Sequence, residues 1–281
     1  MTASLSSPSA QILHRFSVSN PIHIAETGIA NIWQVTQRSG QLAGLKLYKS
    51  PDMGNEAPGF TFLQSKQGLG AVQVLDLDHN AALMEWLPGG SLGALSRTGQ
   101  DHVATAELVQ VALKLHQTPA ASNVDYPALA SWFSTLMTLS CGEHCSAQTK
   151  EDIHFCQSLV PQLLCTQRDV QPLHGDLHHD NILQGERGYC AIDAKGVCGE
   201  RAYELANAFR NPTGAETLVR DPQRIARLAT EWSVAFEVDR ARLLDWATVK
   251  SALSIAWRTE GVLHEDAELD LLTTLRHAPR C

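Results

Sequence analysis

Apolar residues in the first part of the chain come in short alternating runs. Ile22-His23-Ile24-Ala25 and Ile32-Trp33-Gln34-Val35 read as strands on either side of the polar stretch Glu26-Thr27-Gly28-Ile29-Ala30-Asn31. A turn at Ser39-Gly40 leads into a third strand, Leu42 to Tyr48. A further apolar run, Ala81 to Trp86, ends in Pro88-Gly89-Gly90, a turn that reads as a hinge. From Ser91 the period changes. Leu108, Val111, Ala112 and Leu115 follow the spacing of a buried helical stripe. Asp221-Pro222 pairs an N-cap with a proline at the first helical position, opening a helix whose stripe is Ile225, Leu228, Trp232 and Phe236. Two more helices are expected near Arg240 to Trp257 and Asp266 to Arg276. Strands first, then helices, predicts an α+β fold in two lobes, residues 11–87 and 88–281. The Ser/Ala-rich residues 1–10 are expected to fray.

Within the helical half lies one more hairpin. Asn181 to Leu183 and Tyr189 to Ile192 are apolar strands separated by the turn Gln184-Gly185-Glu186-Arg187-Gly188. Its flanks carry the chemistry. Leu173 to Leu183 reads LHGDLHHDNIL, placing His174, Asp176 and Asn181 in an H-x-D-x-x-x-x-N array, and a second carboxylate, Asp193, follows the hairpin. Phosphoryl transfer from Mg-ATP needs these groups: a carboxylate for the acceptor proton, and an amide oxygen and a second carboxylate for metal ions beside the phosphates. A zinc site built from His174, His178 and His179 would give Asn181 and Asp193 no role.

Upstream residues fit the same chemistry. Lys46 sits between Leu45 and Leu47 in the third strand, where an unpaired ammonium would be costly. Phosphates and a carboxylate would satisfy it; Glu56 is favoured over Asp52 as that carboxylate, and Lys49, at the polar end of the strand, is the competing lysine. Thr27 and Gly28, in the first hairpin, are candidates to lie over the phosphates, although a single glycine is a poor match to a glycine-rich loop. The backbone from Glu85 through Trp86 to Leu87 is the candidate adenine contact, with Met84 as a packing residue.

Composition narrows the class. With 281 residues the chain can bury a large core, and 44% hydrophobic with 19% charged residues describes an ordinary globular protein. The net charge of −8 disfavours nucleic acid and mildly favours cationic small molecules. There is no apolar run of membrane-spanning length and no secretion signal at the N-terminus, so no membrane partner is expected. Seven irregularly spaced cysteines suit reduced thiols in the cytoplasm. Cys141, His144, Cys145, His154 and Cys156 do not have the paired spacing of a structural zinc site.

The chain resembles the aminoglycoside/hydroxyurea phosphotransferase family, most of all its streptomycin 6-phosphotransferase branch. The resemblance rests on the double His178-His179, Ile192-Asp193 running on to Gly199-Glu200, Ala206-Asn207, Asn211-Pro212, the stretch from Asp221 and the Trp257 to Gly261 segment. Upstream it includes Trp33, Lys46, Glu56, Gly70-Ala71-Val72 and Met84-Glu85. It implies a protein-kinase-like fold, ATP and Mg²⁺ as cofactors, and γ-phosphate transfer to a hydroxyl of a cationic aminocyclitol antibiotic, the 6-hydroxyl of streptomycin. By position Asp176 would be the base, His174 would orient the loop, Asn181 and Asp193 would hold metal, and Lys46 would anchor phosphate. Lys195 could also reach phosphate. The basic acceptor calls for carboxylates; Glu260 is the first candidate, followed by Glu204, Glu200 and Glu265. Catalytic residues do not separate this activity from a kinase of a sugar, a choline-like alcohol or hydroxyurea. Intact Lys46, Asp176, Asn181 and Asp193 speak against a nucleotide-binding pseudokinase.

Overall fold

The computed structural model describes residues 7–118 and 124–280. Helix α1 (Ala10–Arg15) comes first, its N-terminus capped by the Ser9 hydroxyl, which accepts from the Ile12 N–H. The expected frayed segment 1–10 is therefore corrected at its end, since Ser9 and Ala10 are ordered by this cap; residues 1–6 lie outside the described residues. An antiparallel sheet follows: β1 (Val18–Glu26), β2 (Ala30–Gln37), β3 (Leu42–Tyr48), β4 (Val74–Asp78) and β5 (Ala81–Glu85), in the order β1-β2-β3-β5-β4. β1 is longer than expected and carries two register shifts against β2; as an edge strand it tolerates Pro21. Between β3 and β4 runs α2 (Ala57–Ser65), opened by Pro58 and burying Phe60, Phe62 and Leu63.

The remaining chain is mainly helical: α3 (Leu92–Arg97), α4 (Asp101–Gln117), α5 (Leu129–Trp132), α6 (Ser134–Met137), α7 (Ala147–Cys165), α8 (Glu216–Val219), α9 (Pro222–Phe236), α10 (Arg240–Arg258) and α11 (Leu269–His277). The Asp221 carboxylate caps α9 as its sequence predicts. Short strands pair within this part: β6 (Ser140–Cys141) with β11 (Val262–Leu263), β7 (Val170–Leu173) with β10 (Val197–Glu200), and β8 (Ile182–Gly185) with β9 (Gly188–Ala191). The last pair is the expected hairpin, each strand displaced by a residue or two, so the turn contracts to Glu186-Arg187.

The linker after β5 is stapled to that hairpin. Gly89 N–H donates to the Gln184 carbonyl at 2.9 Å and Gln184 N–H to the Gly90 carbonyl at 3.1 Å. A Cβ at Gly89 would come within 2.8 Å of the Gln184 carbonyl oxygen, which is why glycine stands there. A single apolar cluster runs through Tyr48, Phe60 and Ala82 of the sheet part to Leu108, Phe209 and Trp232 of the helical part, so the lobes share a core.

Candidate active site

β3 and α2 bring Lys46 and Glu56 together. Lys46 is 3% exposed; its Nζ lies 2.8 Å from Glu56 Oε2 and 2.9 Å from Asp193 Oδ1. Burial would push the ammonium down, but the Asp193 and Glu56 charges carry it above its ordinary value. Burial likewise acts against the Glu56 carboxylate, yet Lys46, Lys195 and Tyr48 outweigh it and hold it at about 2. Glu56 serves two lysines, Oε2 facing Lys46 and the Tyr48 hydroxyl, Oε1 facing Lys195. Lys49 is used elsewhere: its Nζ binds Glu26 Oε1 at 2.6 Å and the Thr27 carbonyl at 2.8 Å, steadying the β1–β2 turn. In that turn the Thr27 hydroxyl accepts from Ala30 N–H at 3.0 Å, and a Cβ at Gly28 would meet nothing within 4 Å. The Glu85 carboxylate is occupied by Arg187 and by the Gln73 N–H, which leaves backbone for any contact made from Glu85 through Trp86 to Leu87.

The segment from Leu173 to Leu183 is braced from below. His174 is fully buried and burial lowers its pKa. Its Nδ1 accepts from the Asp176 N–H at 3.2 Å, so the proton sits on Nε2, which donates to the Ile192 carbonyl at 2.8 Å. Asp176 Oδ1 accepts from Asn207 Nδ2 at 2.8 Å, and Asn181 Nδ2 donates to the Asp176 carbonyl at 3.0 Å. With its Nδ2 turned to Asp176, Asn181 presents its amide oxygen elsewhere. The double histidine has a local explanation. His178 caps the turn His179–Asn181 by accepting from the Asp180 N–H, and His179 packs beneath it at 0% exposure.

Asp193 lies at φ 57, a left-handed conformation that favours glycine, and it is held there by close packing. A Cβ at Gly59 would fall 1.7 Å from the Ala194 carbonyl oxygen, and one at Gly196 2.4 Å from the Pro58 carbonyl oxygen. Two glycines thus let α2 lie directly on the segment from Asp193 to Gly196. The Lys195 N–H also donates to the His174 carbonyl at 2.8 Å, and the Phe62 ring meets His174 edge-on. Among the described residues, no group of three or more His, Cys, Asp or Glu side chains is arranged to hold a metal ion. Asn181 and Asp193 suit a magnesium ion that takes its other ligands from phosphates and water.

Asp176 faces a cavity of about 590 Å³ walled by Gly54, Asn55 and Pro58, by Ser131, Trp132 and Thr135, and by Lys195, Lys250 and Trp257. The four acidic residues expected to bind the acceptor do not line it. Glu204 is buried, and its carboxylate accepts from His116 at 3.0 Å and from the N–H groups of His174 and Gly175 at 2.9 and 3.2 Å. It holds up the backbone at His174 and Gly175, so it is corrected from ligand to support. Glu200 is likewise corrected: it is buried in a bidentate pair with Arg242. Glu260 and Glu265 are exposed and outside the cavity. Asp176 is the only carboxylate among its described lining residues, beside two ammoniums and two indoles, Trp132 and Trp257, edge-on at 5.7 Å.

Sequence reasoning missed His116, Lys250 and Trp132, and it gave Asn207 no role although the resemblance included it. Lys250 had a signal, a lone lysine on an apolar helix face between Trp246, Val249 and Leu253. It is 2% exposed, bonded to Ser254 Oγ at 3.3 Å and set 4.4 Å over the Trp257 ring. Burial brings its pKa down to about 8 although Asp176 opposes the shift.

A buried lysine–carboxylate pair, an aspartate on a braced loop and an Asn/Asp pair at the ends of a hairpin, set between a sheet lobe and a helical lobe, define a kinase-fold phosphotransferase acting on a hydroxyl. The chain belongs to the aminoglycoside/hydroxyurea antibiotic resistance kinase family, whose sequence model matches residues 15–261. It is 36% identical to a streptomycin 3''-kinase of Klebsiella pneumoniae over 80% of this chain and 83% of that one. It is 26% identical to a streptomycin 6-kinase of Streptomyces griseus over 82% and 75% respectively. Its fold is similar to that of a thermostable mutant of aminoglycoside phosphotransferase APH(4)-Ia solved with ADP and hygromycin B: TM-score 0.57, 12% identity, 95% of this chain and 97% of the other. No helix among the described residues is long and apolar enough to cross a membrane.

Proposed function

We propose that this protein transfers the γ-phosphate of Mg·ATP to a hydroxyl of streptomycin. The observation that carries the reading is Asp176 on the wall of a 590 Å³ cavity, its carboxylate aligned by Asn207 and its loop braced by Glu204. A hydroxyl in that cavity gives its proton to Asp176 while its oxygen attacks phosphorus. Lys46 would anchor the donor phosphates beneath Thr27 and Gly28, and the backbone from Glu85 to Leu87 would take the adenine. Asn181 and Asp193 would hold magnesium, whose charge would screen the phosphates. The lining offers a cationic acceptor the indoles Trp132 and Trp257 and, among its described residues, the single carboxylate Asp176. The net charge of −8 draws cations toward the molecule at longer range.

The acceptor oxygen is a separate matter. The 6-hydroxyl, expected from the sequence, competes with the 3''-hydroxyl, because identity is higher to the 3''-kinase, 36% against 26%. Incubation with Mg·ATP and streptomycin should yield a monophosphorylated product by mass spectrometry, and phosphorus–proton correlation by NMR assigns the oxygen. Turnover on a neutral sugar or a choline-like alcohol, with none on streptomycin, would remove the antibiotic and leave the kinase.

A further inference from the structure

Lys195 sits where two parts of the site meet. Its backbone is clamped between α2 and the catalytic loop by the Gly59 and Gly196 contacts and by its bond to the His174 carbonyl. Its side chain reaches Glu56, the carboxylate that also binds Lys46, yet it lines the acceptor cavity with Asp176 and remains 28% exposed there. Two carboxylates, Glu56 and Asp193, face two lysines, Lys46 and Lys195, in this cluster. Lys46 is the more buried of the two and has Asp193 besides, so Lys195 contributes a second positive charge on the acceptor side of Glu56.

We propose that Lys195 binds the transferring phosphoryl group, its ammonium meeting a γ-phosphate oxygen from the acceptor side while Lys46 holds the donor side. This rests on ATP as the phosphate donor. In the transfer the acceptor oxygen–phosphorus bond forms as the bond to the β-phosphate oxygen breaks. ADP keeps that electron pair, and the acceptor proton passes to Asp176. Lys195 offsets charge on the oxygens in flight.

Calorimetry on the full-length protein tests this with two probes, Mg·ADP and the Mg complex of β,γ-imido-ATP. Lys195→Met should bind the imido nucleotide roughly tenfold or more weakly, the loss typical of a charge-assisted hydrogen bond, and bind ADP as the wild type does. Lys195→Arg, which keeps the charge, should retain most of the affinity for both and covers the case in which the methionine variant fails to fold. If both nucleotides weaken together, Lys195 only braces Glu56 and the proposal falls. It falls equally if neither weakens. A wild-type protein that binds neither nucleotide overturns the donor assignment and this proposal with it.

Discussion

At Asp176 the separation of roles is sharp. Its carboxylate is held by Asn207 and the Asn181 amide and makes no bond to Lys46 or Asp193, so chemistry and nucleotide binding should come apart on mutation. Asp176→Asn is expected to cost about 10²–10⁴ in transfer rate, the worth of a positioned general base. Mg·ATP affinity by calorimetry should stay at the wild-type value; a parallel fall in both would reassign the residue to the nucleotide. Lys250 gives a prediction about stability. Its ammonium is buried, among the described residues no carboxylate lies within salt-bridge reach of it, and its folded pKa of about 8 lies below that of an exposed lysine. Between about 8 and about 10.4 the unfolded chain therefore binds more protons than the folded one, and stability rises with pH. Lys250→Met should melt above the wild type at pH 7, and the gap should shrink as pH climbs through that window. A gap constant with pH would mean that the lysine does not titrate there.

The contact between α2 and the segment from Asp193 to Gly196 belongs to the scale of elements. Gly59→Ala would drive a methyl into the backbone carbonyl of Ala194, which no side-chain rotation can relieve. Overpacking of this kind costs about 1–3 kcal/mol. Because Glu56 and Asp193 lie on the two sides of the contact, the KM for ATP should rise together with the loss in melting temperature. Wild-type values for both would show that the packing is loose. This contact was illegible in the sequence, whereas the groups it aligns were not. Lys46 stood out as a charge in an apolar strand, and His174, Asp176, Asn181 and Asp193 stood out because fixed spacing around one hairpin makes a local pattern. Asn207 and Glu204 reach the site from the turn-like helix Arg201–Arg210, and no local pattern announces such a convergence; Lys250 stood out only as a lysine on an apolar helix face. Two of the carboxylates proposed for the acceptor, Glu200 and Glu204, failed for a related reason. Charge complementarity says which residue type to seek, but burial decides which carboxylates are free, and Glu200 and Glu204 were already paired.

Over the whole molecule the order of strands, hinge and helices was readable because the hydrophobic period changes from strand-like to helical after the Pro-Gly-Gly turn. The unity of the core was not. Division at residue 87 separates Leu87 from a hairpin to which the next residues are bonded, and one apolar cluster crosses the boundary. Two lobes sharing a core should unfold together, so calorimetry is expected to give a single transition, with van't Hoff and calorimetric enthalpies in agreement. Two resolved transitions would show the lobes to be independent. The cavity facing Asp176 carries a different consequence. Apart from Gly175, Asp176 and Lys195, its walls come from three stretches: the start of α2 with the residues before it, the segment from Pro127 through the short helices α5 and α6, and the last turns of α10. Trp257, at the end of α10, is 46% exposed, so replacing it asks little of the fold. Substrate range can therefore drift through successive substitutions on these walls while the reaction itself is preserved. A library randomised at Ser131, Thr135 and Trp257 is the natural place to look for altered acceptors.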